Sequence, residues 1–551
     1  MRNFLSQAAR YKKLKLLILL HFTSSNLRNV LRSSYLKVDR TLKQLFRLFF
    51  RLPQTLATRK INSHTLAQKR IAMTTQAATK ILISQADNYA GNFGEVLRSS
   101  AIFWVKNDEH LRSTISFSNY WKYKNFTDVR VLINLRNLSG EILNRQVIEF
   151  EKGYVCNYSP PENFEGSVEV EAFSVKNMRI PYAAVMVIYD STKSISMVHS
   201  YARAYSQHEI EDKRTITNGE ESCWTLRDDD VNSSFSVIHN GPNKQANQKA
   251  KLSVRNWLGD EQSVEIELPE LLPFQTISFK PKKYFNNLIE FLEGQSGNAR
   301  ISFKLNGGFS RMLCGIRTAD NTQLQVTHSN FDYSTHDTDT IKDGILRAYM
   351  RTPNVMGPYQ QEIVVYPDTN KGVYVSECEG ESKEFKTGEI HKLSFENGEG
   401  KIVQFSRTDN ILPTRIVTAL RLNSQKPNIP AECSLGVVHH NRPKKNFHWM
   451  LVSGKFNSQI CWVDFQEVYG GCPENAEFVF KLYIAKEEKE LVKNLVKSDL
   501  PANGVVRLSS IFDNASLTED YCYLSIWCSY GGLMIFSTLE KASSITIEHS
   551  F

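Results

Sequence analysis

Several familiar signals are missing from this 551-residue chain. No run approaches the ~18 apolar residues of a membrane-spanning helix; the purest, Leu16 to Leu20, is far too short. HExxH, GxxxxGK[ST], GxSxG and a strand–Gly-rich loop–helix dinucleotide motif are all absent, which removes the strongest signs of zinc hydrolysis, nucleotide binding and serine hydrolysis. No Cys-x-x-Cys occurs among the nine cysteines (Cys156, Cys223, Cys314, Cys378, Cys433, Cys461, Cys472, Cys522 and Cys528). Their odd count and irregular spacing argue for reduced thiols and a cytoplasmic location. Cys223-Trp224 and Cys461-Trp462 lack a recurring His or Asn partner that would make them nucleophiles.

Acid is almost absent from residues 1–72, which hold 16 Lys+Arg and one acid, Asp39. The remainder holds 51 basic and 57 acidic residues, so the net charge of +9 belongs to the N-terminal segment. A mildly acidic body argues against nucleic acid as partner. The segment also lacks Gly and carries Lys43, Arg47 and Arg51 four apart, on one helix face. It is readable as an organelle transit peptide, as a basic amphipathic helix on a membrane surface, or as sequence upstream of a true start at Met73.

What is present is a repeat. An apolar–any–apolar–any–His signature followed by Ser or His ends four strand-like runs: Ile195 to His199, Leu324 to His328, Leu435 to His439 and Ile545 to His549. The histidines are 129, 111 and 110 residues apart, which is ordinary domain size. A second mark supports the period. Arg136-Asn137-Leu138-Ser139-Gly140 and Arg255-Asn256-Trp257-Leu258-Gly259 recur 119 residues apart, each between two strand-like runs. Asn370-Lys371-Gly372 and Lys486 to Lys489 stand in the corresponding regions of the later units.

Alternating strands with turns near every ten residues predict an all-β chain of four tandem antiparallel β-sandwich repeats behind a basic extension. The divisions are 1–72, 73–206, 207–333, 334–442 and 443–551. Val168, Val170 and Ala172 predict one buried face, leaving Glu169 and Glu171 on a wet one. Helical patterning is confined to Phe285–Leu292 and Glu487–Val496. The last strand, Ser544 to His549, is expected to pair inside a sheet.

Residues two apart on a strand share a face, so each signature histidine points with its apolar neighbours into a core or an inter-repeat contact. If the repeats pack about a pseudo-fourfold axis, His199, His328, His439 and His549 converge as metal or anion ligands; otherwise each closes its own sandwich. The densest polar–aromatic patch is His439, His440, Arg442, Lys444, Lys445, His448 and Trp449, readable as a ligand surface for phosphate, a sugar or a nucleic-acid strand, or as a solvated inter-repeat connector with Phe447 and Trp449 packed in the next strand. Asp228–Asp230 and Asp337, Asp339, Asp343 are acidic loops; the second is not an EF-hand, since Ile341 occupies a ligand place and Lys342 the glycine position.

Arg179-Ile180-Pro181-Tyr182-Ala183-Ala184-Val185, followed by Ser194 to Arg203, resembles the end of small β-sandwich proteins of the sensory-rhodopsin-transducer type, over about 25 residues of the first repeat. That resemblance implies a compact sandwich used for association or small-ligand binding. The reading that emerges is a non-catalytic repeat protein without a cofactor, for a protein or glycan partner, with self-association open. The alternatives are a carbohydrate-active enzyme with its site between repeats, and a peripheral membrane protein tethered by residues 1–72 and so located at an organelle or membrane surface.

Overall fold

The computed structural model describes residues 96–551 except 124–127, 149–153, 177, 179–184, 200–202, 207–215, 220–223, 307–311, 331–344, 369–370, 397–399, 414–415, 425–427, 441, 443, 486, 488, 514–516 and 518–520. The basic extension, the acidic loop at Asp337–Asp343 and most of the Pro-Tyr-Ala stretch lie outside the described residues.

The chain is all-β, four tandem antiparallel sandwiches. The fourth shows the plan: eight strands at Phe447–Ser453, Gln459–Asp464, Glu477–Tyr483, Leu491–Val496, Val505–Arg507, Tyr521–Cys528, Leu533–Lys541 and Ser544–His549. The outer sheet runs fourth–third–sixth–first, and the inner sheet fifth–second–seventh–eighth. The strands within Val96–His199, Ile216–His328 and Ala348–Ser434 repeat both orders. In the second repeat the first strand is split into Ile216–Gly219 and Trp224–Leu226, both paired to Gly297–Asn306. Period-two patterning drives the layering: Phe478, Phe480 and Leu482 point into one core with Leu524 and Ile526 from the neighbouring strand.

Local expectations fare unevenly. Residues 288–292 form one short helix. In the other helical stretch, Leu491–Val496 is an edge strand, because its partner Glu477–Tyr483 supplies a ladder that a lone turn of helix lacks. The third repeat's hairpin turns at Glu379-Gly380, both with positive φ, rather than at Asn370–Gly372, which precedes the strand Val373–Cys378.

The eighth strands close the assembly. Ile195–His199 packs against Leu324–His328, that strand against Ala431–Ser434, that one against Ser544–His549, and the last back against Ile195–His199. The repeats therefore form a closed cycle. Apolar faces drive it: Ile195 and Met197 join a cluster with Trp449, Tyr483 and Tyr523 of the fourth repeat. Leu324 and Val326 join the first repeat's core, and Ile545 and Ile547 join the third's.

The closing strands share no backbone ladder. Hydroxyls satisfy their edges instead: Ser194 Oγ accepts from Leu324 N at 2.9 Å and donates to Leu324 O at 3.0 Å. Ser196 Oγ accepts from Val326 N at 2.9 Å, and Thr546 Oγ1 from Met197 N at 3.2 Å. Gln325 Nε2 reaches Ile195 O, Ser544 Oγ and Ile545 O, each at 3.1 Å, tying three repeats together. Buried edge groups are thus paired without merging four sheets into one.

The Arg-Asn turns are docking devices. Leu138 O accepts from Thr276 N of the second repeat at 2.9 Å. Arg136 stacks its guanidinium 4.0 Å from the Phe274 ring and pairs with Glu169 at 2.7 Å. Glu169 and Glu171 are therefore buried, contrary to the wet face expected, because a loop of the next repeat covers that side of the sheet. One repeat later Arg255 reaches Asp368 of the third repeat at 3.1 Å.

Candidate metal centre at the ring closure

The cyclic packing brings three of the four signature histidines together. His199, His328 and His549 end equivalent strands, opposite Met186, Leu313 and Phe536 of the adjoining seventh strands. Each offers a ring nitrogen, and the three lie within 4.8 Å of one another. The His199 ring stands edge-on to His328 at 4.6 Å and to His549 at 4.8 Å. His199 and His328 are buried, and His549 is partly open.

Their partners set the tautomers. His328 Nδ1 donates to Ser329 O at 2.7 Å and His549 Nδ1 to Ser550 O at 3.2 Å, so in the neutral rings Nε2 carries the lone pair. His199 Nδ1 faces Glu548 Oε2 at 3.3 Å. Burial alone would raise the Glu548 carboxyl, but the His199 imidazole outweighs it and holds Glu548 below the usual carboxylate range. Glu548 Oε1 also lies 3.6 Å from His549 Nε2 and accepts from Cys433 Sγ at 3.6 Å. Sequence reasoning missed Glu548, which sits where the other closing strands carry Val198, Thr327 and Cys433.

His439 does not join the cluster. By register Ser434, opposite Ala419, holds the fourth place, and its Oγ accepts from Asn330 Nδ2 at 2.8 Å. The Leu435–His439 signature lies beyond that strand, on the segment that crosses to the outer sheet, where Val438 bridges Tyr349. His439 is half-buried there.

The polar–aromatic patch divides in the same way. His440, Arg442, Lys444 and Lys445 are exposed. Arg442 Nη1 donates to Val437 O at 2.6 Å, and Lys444 Nζ lies 4.8 Å from the Tyr530 ring. Trp449 is buried against Tyr523 and Phe551. His448 is buried between Ser550 Oγ at 2.8 Å and Lys445 O at 3.0 Å. The seven residues thus do not share one surface, because the strand Phe447–Ser453 is covered on both faces, burying adjacent His448 and Trp449 on opposite sides.

Two other buried histidines give a pH prediction. Burial lowers His239 to about 3 and His391 to about 4, each ring bonded to a hydroxyl, Thr276 Oγ1 and Ser376 Oγ. Unfolded, both bind protons below about 6.5; folded, neither does until those lower values. Stability is therefore full above pH ~6.5 and falls by about 1.4 kcal/mol per pH unit and per histidine as pH drops toward 4. Urea midpoints between pH 7.5 and 4.5 should decline accordingly, and His391→Gln should flatten the decline.

Comparisons add little. No family model and no curated protein matches the chain. Among solved structures it is similar to the major pilin protein of Streptococcus pyogenes, at 8% identity over 83% of this chain and 94% of that one, with a TM-score of 0.12. It is also similar to Escherichia coli alpha-2-macroglobulin, at 9% identity over 82% of this chain and 43% of that one, TM-score 0.12. A third is a Salmonella alpha-2-macroglobulin mutant, at 10% identity over 83% of this chain and 32% of that one, TM-score 0.11. The chain spans less than half the length of the macroglobulins, and scores this low carry no argument.

Proposed function

We propose that the chain is a non-catalytic scaffold that binds a protein partner through the outer edge of its first repeat. The observation that carries this reading is the strand Ile142–Ile148. It pairs on one side with Arg130–Asn137 and ends its sheet. Six of its seven residues are exposed, Ile142, Leu143 and Val147 at 41%, 57% and 53%. Edge strands of proteins with nothing to bind are blunted by charge. The equivalent strand of the third repeat follows that rule, with Glu381, Lys383, Glu384 and Lys386. An apolar open edge suits an added strand, whose backbone supplies affinity and whose alternate side chains supply specificity.

The inter-repeat cleft at Thr225, Arg421 and Glu432 favours binding over glycoside hydrolysis. Arg421 pairs with Glu362 at 3.3 Å and Glu432 at 3.4 Å, so both carboxylates are tied to one guanidinium rather than left free to flank a glycosidic bond. A reducing, cytoplasmic setting fits Cys156, Cys314, Cys433, Cys461, Cys472 and Cys528, none of which forms a disulfide. Among the described residues no helix is long and apolar enough to cross a membrane.

The test presents the full chain with a library of alternating-apolar heptapeptides and, in parallel, a panel of oligosaccharides. Peptide binding lost in Leu143→Lys with Val147→Lys, at unchanged thermal stability, supports the reading. Oligosaccharide turnover, or peptide binding indifferent to those changes, contradicts it.

A further inference from the structure

We infer that His199, His328 and His549 form a binding site for a borderline divalent cation of the zinc or cobalt kind, closing the ring at its centre. Three observations carry this. First, the ligand set comes from three repeats at one equivalent position, so cyclic packing, not local sequence, assembles it. Imidazole nitrogen is the donor such cations favour.

Second, the His328 and His549 rings are held by their other nitrogen, and the His199 Nδ1 lies within ion-pair distance of Glu548. Two Nδ1 groups donate to backbone carbonyls and the third faces a carboxylate. That arrangement fixes tautomer and ring orientation around a bound metal in histidine sites generally. A structural role as a simple strand cap needs neither three copies in contact nor a shared carboxylate.

Third, a buried carboxylate backs the cluster: Glu548 Oε2 lies 3.3 Å from His199 Nδ1, and Oε1 3.6 Å from His549 Nε2. Nitrogens on a tetrahedral ion, with bonds of about 2.0–2.1 Å, sit roughly 3.4 Å apart. The observed spread of up to 4.8 Å therefore requires the ring nitrogens to close by up to about 1.4 Å. The partly open His549 gives an entry path from solvent.

Glu548 is a positioning residue in this account, acting through His199. Its replacement by Gln should weaken binding by about 10–100-fold without removing the site.

The experiment uses the full chain, stripped with chelator and titrated with Co²⁺. One equivalent should bind with the visible absorption of a tetrahedral, nitrogen-rich site, and Zn²⁺ should displace it. His328→Gln and His549→Gln should each abolish that spectrum, and His439→Gln should leave it intact. Circular dichroism checks that each variant folds; Glu548→Gln, tracked by affinity and spectrum, keeps the test decisive if His328→Gln does not. Absence of stoichiometric Co²⁺ and Zn²⁺ binding overturns the inference. So does binding that survives His549→Gln but is lost in His439→Gln. The strand-edge test and this one are separate, since neither readout depends on the other.

Discussion

Replacing Arg136 by Ala should destabilise the first repeat by about 3–5 kcal/mol, among the largest effects open to one side chain here. Arg136 donates through Nε at 3.2 Å and Nη2 at 2.7 Å to Glu169 Oε2, and through Nη1 to Gly140 O at 2.9 Å. Glu169 is fully buried, and Asn134 Nδ2 adds one bond at 3.1 Å. Removing the guanidinium strands an ionised carboxylate under the Phe274 loop, where water does not reach it. The pair itself need not be stabilising, since two desolvated charges roughly cancel their attraction. The double change Arg136→Met with Glu169→Met should therefore recover most of the loss. A urea midpoint that falls for Arg136→Ala and returns in the double variant is the expected result. Two variants equally unstable would instead assign the loss to packing on Phe274.

The second large effect is Gly140→Ala. Gly140 has φ +90°, and a Cβ there would lie 2.1 Å from Pro273 O and 2.8 Å from Phe274 C, both backbone atoms of the next repeat. Gly259 provides the internal control. Its φ is +91°, but a Cβ would lie 3.6 Å from its nearest neighbour, Glu389 Cα. Both substitutions carry a backbone penalty of about 1–3 kcal/mol. Gly140→Ala adds the cost of separating two repeats, about 1–3 kcal/mol more. Thermal melts of the two variants should differ in that order. Equal losses would mean that the Arg-Asn turn is a local turn and not a docking device.

The architecture was legible because a strand has period two and the repeats kept parity. His199, His328 and His549 each follow apolar residues two and four positions back, so one pattern gave both the unit length and the facing surface. The third unit deceived for the same reason. Leu435 to His439 reproduces the pattern on a segment that has already left the inner sheet, whereas the true closing strand, Ala431–Ser434, is short and ends in Ser. Glu169 and Glu171 read as wet because alternation reports which face is the repeat's own core. It is silent about a loop roughly a hundred residues later that covers the other face. Glu548 was invisible on similar grounds: its partners His199 and Cys433 come from two other repeats, and no local spacing records them. The Arg-Asn turn was legible as a repeat, but its role in docking depended on Pro273 and Phe274 across the interface.

The central claim is that the four sandwiches close into a cycle, so that the first meets the fourth. Lys541 Nζ pairs with Asp190 across that closing contact. Lys193 Nζ pairs with Asp320, at 3.6 Å, across the contact between the first and second repeats. A zero-length carbodiimide crosslink, mapped by mass spectrometry on the monomeric full chain, distinguishes the two. The closed cycle predicts both the Lys193–Asp320 and the Lys541–Asp190 links. Recovery of Lys193–Asp320 without Lys541–Asp190 would show an open string of repeats and would contradict both the closure and the three-histidine site built on it.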